Sequence, residues 1–444
     1  MNIFALSTGK GPSGIAIVRI SGPQTLNICK KITGETNIKN GEINLCRFID
    51  PKNKKIIDPE ALLLWFPKPH SFTGDDLAEL HVHGSNAVIT YLLKVLSDQK
   101  NCRLADPGEF TKIAFQNNKI DLVKAESIGD LIHAETELQR EQAVNLVQGY
   151  ASKYYEKLRE KLIKSLSYIE AKIDFSEDDL PGSVLKEVQK SIKEVHNDIK
   201  RILEDQKVGE KIRDGFRISI IGDVNAGKSS LLNLLAKRDA AIVSEEEGTT
   251  RDVIETYLNI DGYPVILADT AGIRKAKNKV EKEGIKRAIK KAKEADLTLV
   301  IIDVSKKIIN KDVKNLINEN CILVFNKSDL SKETPKNEFK KNDQILISVI
   351  NNENIDSLIK LIKEKLSKKF MKAKNILVTR ERHRAKLNAA LKEIEKFLKK
   401  DQKKEIETAA EDLRLATRHL GSIVGKVDVE EILGSIFQDF CIGK

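Results

Sequence analysis

A phosphate-binding loop is predicted at residues 222–229, which read Gly-Asp-Val-Asn-Ala-Gly-Lys-Ser. The loop follows an apolar run at 216–221 and precedes another at 230–235, as is typical of a glycine-rich turn between a buried strand and a helix. Backbone N–H groups of such a turn wrap a polyphosphate, and the helix N-terminus adds positive potential. We expect Lys228 to reach the β- and γ-phosphates and the Ser229 hydroxyl to ligate Mg²⁺.

Two segments downstream have residues that could respond to a γ-phosphate. The run Ile-Leu-Ala-Asp at 266–269 predicts a strand that ends in Asp269, an acid that can hold Mg²⁺ through water. Gly272 follows, and its backbone N–H can sense the γ-phosphate. Thr250 lies between this segment and the phosphate-binding loop, and we expect it to close on Mg²⁺ and the γ-phosphate.

A guanine-recognition motif, Asn-Lys-Ser-Asp, is predicted at 326–329 after the apolar run 322–325. The Asp329 carboxylate can accept both N–H donors of guanine, a pair that adenine does not present. The order and spacing of the motifs predict an α/β domain with GTP as its substrate. Only backbone contacts to guanine are expected from Ser-Val-Ile at 348–350. The residues that these motifs predict to contact GTP are Asn225, Ala226, Gly227, Lys228, Ser229, Ser230, Gly248, Thr249, Thr250, Asp269, Thr270, Ala271, Gly272, Asn326, Lys327 and Asp329.

The group that positions the attacking water is not at its usual place. Ras-like proteins place Gln directly after the glycine of the Asp-x-x-Gly motif, but here that position is Ile273, which cannot orient water. The stretch 274–293 is strongly basic and contains Glu281 and Glu283. It is either a solvated, lysine-rich helix or a segment whose carboxylate positions the water once the segment orders.

Length and composition predict a multidomain intracellular protein. The 444 residues suggest about three domains, and a hydrophobic content of 41% is sufficient for packed cores. A mean hydropathy of −0.33 without a long apolar run predicts no membrane span, and the first residues lack a secretion signal. The scattered cysteines fit a reducing compartment, so a cytoplasmic location is expected. They contain no Cys-x-x-Cys pair, which argues against a zinc or iron–sulfur site. The cysteines are Cys29, Cys46, Cys102, Cys321 and Cys441.

The charge balance of the chain is basic. Lysine and arginine number 76 against 66 acidic residues, which gives a formal net charge of +10. This excess favours a polyanionic partner such as RNA. The alternative is a solvated surface on a chain that is rich in lysine throughout, and the sequence alone does not choose between the two.

The N-terminal part, residues 1–117, contains period-two apolar runs that predict strands of an α+β domain. In the run 77–83, this period places Glu79, His81 and His83 on one polar face. Such a row lines a ligand pocket, holds a metal ion or faces water. Because no further ligand cluster is visible in the sequence, the metal site is the least favoured of the three.

Helical periodicity begins after this domain. From 118 to 211, and again from 373 to 444, apolar residues recur every three or four positions and predict long amphipathic helices. The simplest interpretation is one helical domain with the GTPase domain, 212–372, inserted into it. Two separate helical domains are the alternative, although each half alone is short of a full core. The predicted fold class is a multidomain α+β and α/β protein.

The chain resembles the MnmE (TrmE) family of tRNA modification GTPases. The resemblance extends over nearly the whole length and includes the inserted GTPase domain. The other matching segments are Ile-Val-Arg-Ile-Ser-Gly at 17–22, Ser-Phe-Thr-Gly-Asp-Asp at 71–76, Asp-Pro-Gly-Glu-Phe-Thr at 106–111 and Phe-Cys-Ile-Gly-Lys at 440–444.

This resemblance implies a fold and a reaction. The N-terminal domain would be a folate-binding, aminomethyltransferase-like domain that also forms the homodimer, with folate contacts from Arg19, Glu79 and Lys119 and from Lys444 of the C-terminal tail. With the flavoprotein MnmG, which brings FAD and NADH, the family adds an aminomethyl or carboxymethylaminomethyl group at C5 of the tRNA wobble uridine. The one-carbon donor is a tetrahydrofolate derivative, in the 5,10-methylene form or as its 5-formyl analogue. Cys441 is a candidate participant in the chemistry.

The resemblance also implies the ions of the GTPase domain. K⁺ at the interface between two GTPase domains takes the place of an arginine finger, and Glu281 matches the family's water-positioning glutamate. The Mg²⁺ ligands would be Ser229 and Thr250. Glu245-Glu246-Glu247 makes the cation loop more acidic than the usual pattern. The K⁺ ligands would be Asn225, Ser244, Glu246 and Thr249. The resemblance also implies GTP contacts from Ser244, Glu245, Glu246 and Glu247 of this loop.

Two other classes of protein share the nucleotide motifs. A GTP-switched factor of ribosome assembly usually adds a KH-like domain or a second GTPase domain, and this chain has the sequence of neither. A dimerising scaffold with vestigial activity is disfavoured because the motifs are intact. The sequence therefore favours a GTP-gated enzyme of tRNA modification.

Overall fold

The structure is a computed structural model. It describes residues 1–9, 11–174, 182–238, 255–268, 294–306, 309, 311–334, 339, 341–370, 376–401, 404–427, 433, 436–437, 440 and 443. The chain forms two compact units. Unit one comprises Met1–Gly129, Leu146–Glu160 and Thr417–Lys444, and unit two comprises Asp130–Asn145 and Lys161–Ala416.

Unit one is built on a six-stranded sheet. Its strands are β1 (Asn2–Leu6), β2 (Ser13–Ser21), β3 (Ile43–Ile49), β4 (Ile56–Phe66), β5 (Leu77–Gly84) and β6 (Cys102–Leu104). Its first helices are α1 (Thr25–Thr33), α2 (Asn86–Ser97) and α3 (Glu109–Gln116), and α4 (Leu122–Ile132) begins in this unit. The strand order is β3-β4-β5-β2-β1-β6, with all neighbours antiparallel except β1 and β6.

The two faces of this sheet differ in polarity. Val18 of β2 and Leu80 of β5 are fully buried in a core that includes apolar side chains of α1 and α2. Successive residues of a strand point to opposite faces, so Arg19 and Glu79 lie on the other face. The predicted alternation in β5 is confirmed, because Leu80 is buried while Glu79 and His81 are half-buried.

Unit two contains a second six-stranded sheet. Its strands are β7 (Phe216–Gly222), β8 (Glu255–Ile260), β9 (Tyr263–Ala268), β10 (Leu297–Asp303), β11 (Cys321–Asn326) and β12 (Asp343–Ile347). The order is β12-β11-β10-β7-β9-β8, and the sheet is parallel except for the β8–β9 hairpin. All seven residues of β10 are buried, as expected for a parallel strand covered on both faces.

Most helices of the chain belong to or enter unit two. They are α5 (Glu137–Val147), α6 (Tyr150–Asp174), α7 (Gly182–Leu203), α8 (Val208–Asp214), α9 (Lys228–Arg238), α10 (Lys311–Lys314), α11 (Ile355–Phe370), α12 (Glu381–Lys399) and α13 (Ile406–Val424). Helix α7, which precedes the sheet in sequence, packs against α12, which follows it. The Arg384 guanidinium of α12 donates to Glu210 at 2.5 Å and to Asp205 at 2.7 Å, which holds α8 at the entry to β7.

The predicted fold class is confirmed. The apolar runs at 216–221 and 322–325 form strands, and the run at 230–235 is helical. The four predicted domains, 1–117, 118–211, 212–372 and 373–444, stay a prediction, because the two compact units are defined by contacts and do not test these boundaries. Among the described residues, no helix has the length and apolar character required to cross a membrane.

Candidate functional site

The phosphate-binding loop connects β7, which ends at Gly222, to α9, which begins at Lys228. Strand β7 lies between β10 and β9, so the loop leaves the carboxyl edge of the parallel strands, where α/β sheets bind nucleotides. Ser229 and Ser230 lie in the first turn of α9, whose backbone N–H groups favour an anion. The loop therefore has the strand–turn–helix setting that binding of a polyphosphate requires.

Two glycines allow this loop to pack against the neighbouring strands. Gly222 has φ +149°, and a Cβ added there would lie 2.2 Å from the carbonyl oxygen of Ile301 in β10. Gly227 has φ +101°, and its Cβ would lie 2.2 Å from the side-chain Nδ2 of Asn326 in β11. At both positions a larger residue would clash with the neighbouring strand and would have to adopt a positive φ, which side chains disfavour.

Asn326 joins the phosphate-binding loop to the guanine-recognition motif. Its side-chain Nδ2 donates to the carbonyl oxygen of Ala226 at 2.8 Å, and its Oδ1 accepts from the backbone N–H of Val349 at 3.2 Å. The residue is buried, so both hydrogen bonds are shielded from water. The structure thus brings together the predicted phosphate and base motifs, which are about a hundred residues apart in sequence.

The two lysines of the predicted site are both held by oxygen atoms of the protein. Lys228 Nζ donates to the carbonyl oxygens of Gly222 at 2.9 Å and Asp223 at 2.7 Å. Lys327 has φ +74°, and its Nζ lies 2.5 Å from Oδ2 of the buried Asp303. Burial acts to raise the pKa of Asp303, but hydrogen bonds from Lys327 and Ser305 outweigh it and lower the pKa below its usual value. Asp303 is therefore an ionised anchor for Lys327.

The carboxylate of Asp329 is oriented by a hydroxyl group. Ser348 is fully buried, and its Oγ donates to Oδ1 of Asp329 at 2.6 Å. Glu353 braces the same region, since its backbone pairs with that of Ser348 and its Oε2 accepts from the Ser328 hydroxyl at 3.0 Å. A fixed carboxylate loses less entropy when it binds the guanine edge.

Sequence reasoning missed Asp303, Glu353 and the hydroxyl contact of Ser348, a residue from which it expected backbone contacts alone. Asp303 had a usable signal, because it ends an apolar run whose carboxyl end lies at the same edge of the sheet. Ser348 and Glu353 had none, since their contacts with 328–329 depend on the pairing of β11 with β12.

Part of the predicted nucleotide site lies outside the described residues. The two predicted residues of the C-terminal tail, Cys441 and Lys444, also lie outside them. The structure places Asn225, which is exposed and has φ +64°, in the phosphate-binding loop. The predicted residues outside the description are Ser244, Glu245, Glu246, Glu247, Gly248, Thr249, Thr250, Asp269, Thr270, Ala271, Gly272, Glu281, Cys441 and Lys444. Their assignments stay predictions.

A second polar cluster lies on the open face of the sheet in unit one. The register of β2 and β5 pairs Arg19 with Glu79, and Arg19 Nη2 donates to Glu79 Oε1 at 2.7 Å. His81 Nε2 lies 3.5 Å from the other carboxylate oxygen. The rings of Phe72 and Phe110 lie 5.6 and 5.8 Å from the Arg19 guanidinium, which is a cation–π arrangement.

The Glu79 carboxylate is ionised. Burial acts to raise its pKa, but the hydrogen bonds and charge of Arg19 outweigh burial and lower the pKa below the usual value. The ionised carboxylate is paired with Arg19, whose guanidinium lies against the two aromatic rings. Among the described residues, no group of three or more His, Cys, Asp and Glu side chains is arranged to hold a metal ion.

Lys119 approaches the cluster through a shared loop. Its Nζ donates to the carbonyl oxygen of Pro69 at 2.9 Å, and its side chain lies beside Gly74. The same loop contains Phe72, which contacts Arg19. The structure therefore brings Arg19 and Glu79 into direct contact, while Lys119 is connected to them through residues 69–74.

The C-terminal tail reaches the sheet of unit one at β1. The Ser7 hydroxyl donates to the carbonyl oxygen of Gly443 at 2.9 Å, and Gly443 packs against the carbonyl of Leu6, where a Cβ would come within 2.2 Å. Strand β1 pairs with β2, and its Ala5 lies opposite Arg19. Gly443 is thus at the end of the strand that neighbours Arg19.

Comparison with protein families decides the identity. A model of the MnmE helical domain matches residues 122–441, and a model of the N-terminus of the GTP-binding protein TrmE matches residues 2–119. The chain belongs to the MnmE family of tRNA modification GTPases. Together the two matches extend over nearly all of the sequence.

Curated members of the MnmE family align over the full length. The tRNA modification GTPase MnmE of Pelagibacter ubique is 56% identical over 444 residues, which are 100% of both chains. The proteins of the same name from Rickettsia bellii (strain RML369-C) and Parvibaculum lavamentivorans are 44% and 43% identical, over 100% of this chain and 99% of theirs. The predicted family and the predicted GTPase activity in tRNA modification are therefore confirmed.

Proposed function

We propose that the chain hydrolyses GTP to drive modification of the tRNA wobble uridine in the cytoplasm. It acts on tRNA as a homodimer, together with the flavoprotein MnmG, which carries FAD and uses NADH. The product is an aminomethyl or carboxymethylaminomethyl group at C5, built with a one-carbon unit from tetrahydrofolate. One observation carries the proposal, namely that a phosphate and guanine site and an ionised Glu79–Arg19 pair beside aromatic rings occur in one chain.

The loop and helix residues fit GTP with Mg²⁺ and K⁺. Ser229 presents a hydroxyl in the first turn of α9, which is suited to Mg²⁺ bound to the phosphates, with Thr250 proposed as the second ligand. The exposed carboxamide of Asn225 is suited to K⁺, with Ser244, Glu246 and Thr249 as the proposed further ligands. A cation there would supply positive charge against the phosphates, which the protein otherwise provides through Lys228.

Hydrolysis also requires a group that orients water. We assign this role to Glu281, since Ile273 cannot perform it. We assign binding of the phosphates to Lys228 and the α9 N-terminus and binding of the base to Asp329, which the protein itself positions. Both ends are positioned by Asn326, which ties the loops together.

The cluster in unit one fits a reduced folate. A pterin ring presents adjacent N–H donors, and an ionised carboxylate such as Glu79 accepts from them. The half-buried ring of Phe72 provides apolar surface for a flat heterocycle, and the position of Gly443 supports a contribution from Lys444. The bound folate would supply the one-carbon group.

The edge of the same sheet supports the proposed homodimer. Ile43 and Leu45 of the edge strand β3 are 68% and 73% exposed, and both lie on the open face. Their partners in β4 are Leu64 and Leu62, so the four side chains form a continuous apolar surface. Burial of such a surface against a second copy would stabilise the dimer by about 25 cal/mol per Å².

Replacement of Glu79 by Gln tests the folate site. The affinity for 5-formyltetrahydrofolate, measured by calorimetry, is expected to fall about 10–100-fold, because an amide accepts fewer and weaker hydrogen bonds than a carboxylate. In the unaltered protein the affinity should stay constant as pH falls through the usual carboxyl range. It should decline only at lower pH, because the pKa of Glu79 is lowered and the binding form is the ionised one.

A matched control is Glu60→Gln, since Glu60 is an exposed carboxylate of β4. This variant should bind folate normally, and both variants should bind GTP normally. Unchanged folate affinity in the Glu79 variant, at an unchanged melting temperature, would contradict the assignment.

Nucleoside mass spectrometry of bulk tRNA tests the whole proposal. Cells that lack the gene should lose wobble aminomethyl-type uridines and regain them when the gene is restored. An unchanged nucleoside profile with accumulated ribosomal precursors would instead favour a factor of ribosome assembly.

A further inference from the structure

The outward ridge of helix α7 is formed almost entirely by lysines. A helix turns 100° per residue, so positions 186, 190, 193, 197 and 200 fall within a sector of roughly 80°. The opposite sector is the core face, with Val188, Ile192, Val195 and Ile199 at 0–3% exposure. The outward positions hold Lys186, Lys190, Lys193, Asn197 and Lys200, all of them exposed, which we call the lysine ridge.

The acidic residues of α7 do not neutralise this ridge. Glu194 pairs with Lys161 of α6 at 3.0 Å, and Asp198 pairs with Arg201 at 2.7 Å. Glu187 is exposed and lies outside the ridge. Glu204 is exposed and directly follows the last residue of α7. In the part of the chain that the structure describes, no carboxylate lies within 4.0 Å of a ridge lysine, so the four lysines form no close ion pair, and the charge of Lys190 acts on Glu194 only at longer range.

The arrangement suits an extended polyanion. The distance from position 186 to 200 corresponds to about 21 Å along the helix axis at 1.5 Å per residue. A row of flexible lysine side chains can contact successive phosphates of a nucleic acid without recognising its base sequence. A small anion instead requires several donors that converge in a concave site. The ridge is convex, so it is better suited to the phosphate backbone of a nucleic acid than to a small anion.

We propose that the lysine ridge of α7 contacts the phosphate backbone of the tRNA. The net charge of +10 supports a polyanionic partner, and membership of the MnmE family supports tRNA as that partner. The inference rests on the proposed function in one respect, that this chain itself binds tRNA.

The first test is a triple variant, Lys186→Gln, Lys190→Gln and Lys193→Gln, in the full-length chain. The affinity for an unmodified tRNA, measured by fluorescence anisotropy at low salt, should fall about tenfold or more. The slope of log Kd against log salt should become shallower by about 2–3, because each lysine that contacts a phosphate contributes about one counterion. GTP hydrolysis without tRNA should be unchanged, which reports on folding.

The matched control removes three lysine charges from helices α1 and α2 of unit one instead of from the ridge. Lys30, Lys31 and Lys94 are exposed lysines of α1 and α2, and their replacement by Gln should leave the tRNA affinity and the salt slope nearly unchanged. An equal loss in both triple variants would mean that only net charge matters, and would overturn the proposal.

A second measurement does not remove any charge. A photo-cross-linking phenylalanine derivative at Asn197, between Lys193 and Lys200, should cross-link to tRNA, whereas the same group at the exposed Ser357 of α11 should not. If the unaltered chain binds tRNA and the ridge variant binds it equally, the ridge is not the contact surface. If the triple variant binds tRNA normally but no longer supports modification together with the flavoprotein, the ridge docks that protein instead, and the proposal is overturned. If the unaltered chain binds no tRNA, both this inference and direct tRNA binding in the proposed function fail.

Discussion

Replacement of Glu281 by Ala is expected to reduce GTP hydrolysis about 10²–10⁴-fold while GTP still binds. The loss is large because Ile273 occupies the position at which related GTPases orient the attacking water, so no second group is available there. Lys228 and Asp329, which we propose bind the phosphates and the base, are untouched by the change. Single-turnover hydrolysis and equilibrium binding of a fluorescent GTP analogue measure the two effects separately.

Glu283 provides a matched control in the same basic segment. Glu283→Ala removes an equal charge two residues away and should retain near-normal turnover. Normal hydrolysis in the Glu281 variant would remove its proposed role. Loss of hydrolysis in the Glu283 variant alone would transfer that role to Glu283.

Replacement of Asp329 by Asn is expected to lower GTP affinity about 10²–10⁴-fold and to create affinity for xanthosine triphosphate. Each hydrogen bond from guanine to the charged carboxylate contributes ~1.5–3 kcal/mol; in the Asn variant one is replaced by two opposed N–H donors, and the other loses its charge assistance. Asn presents one donor and one acceptor, which complement the carbonyl group that xanthine has in place of the amino group. Competition between the two nucleotides measures the exchange of specificity.

Ser348→Ala separates orientation of the carboxylate from recognition of the base. It removes the 2.6 Å hydrogen bond to Asp329 but keeps the charge, so we expect a smaller loss of GTP affinity without any gain for xanthosine triphosphate. Equal nucleotide preference in the Asp329 variant and the unaltered protein would show that guanine is recognised elsewhere.

The nucleotide-binding motifs could be predicted from the sequence because each is a contiguous stretch. A turn at 222–229 needs only its own glycines, a preceding strand and a following helix, and all of these are local. The alternation in β5 is equally local, so the polar face that contains Glu79 could be predicted. Local pattern left the partner of Glu79 undetermined, and Arg19 entered through resemblance to the family.

The contacts that complete these sites join residues far apart in the chain. Arg19 meets Glu79 because β2 pairs with β5 in one register, and Asn326 meets Ala226 because β11 and the loop after β7 share a sheet edge. A one-residue slip would place either side chain on the opposite face. The order and register of strands follow from packing of the whole sheet, which period and propensity do not specify.

The sequence by itself determined that the chain is basic and binds guanine nucleotide through a P-loop domain. The tertiary structure decided which charges are paired. Glu194 could have neutralised Lys190 along α7, yet its closest partner is Lys161 of α6, and the ridge remains positive. The physical reason is that a charge interacts with whatever lies within a few ångströms, and that neighbourhood is set by helix packing.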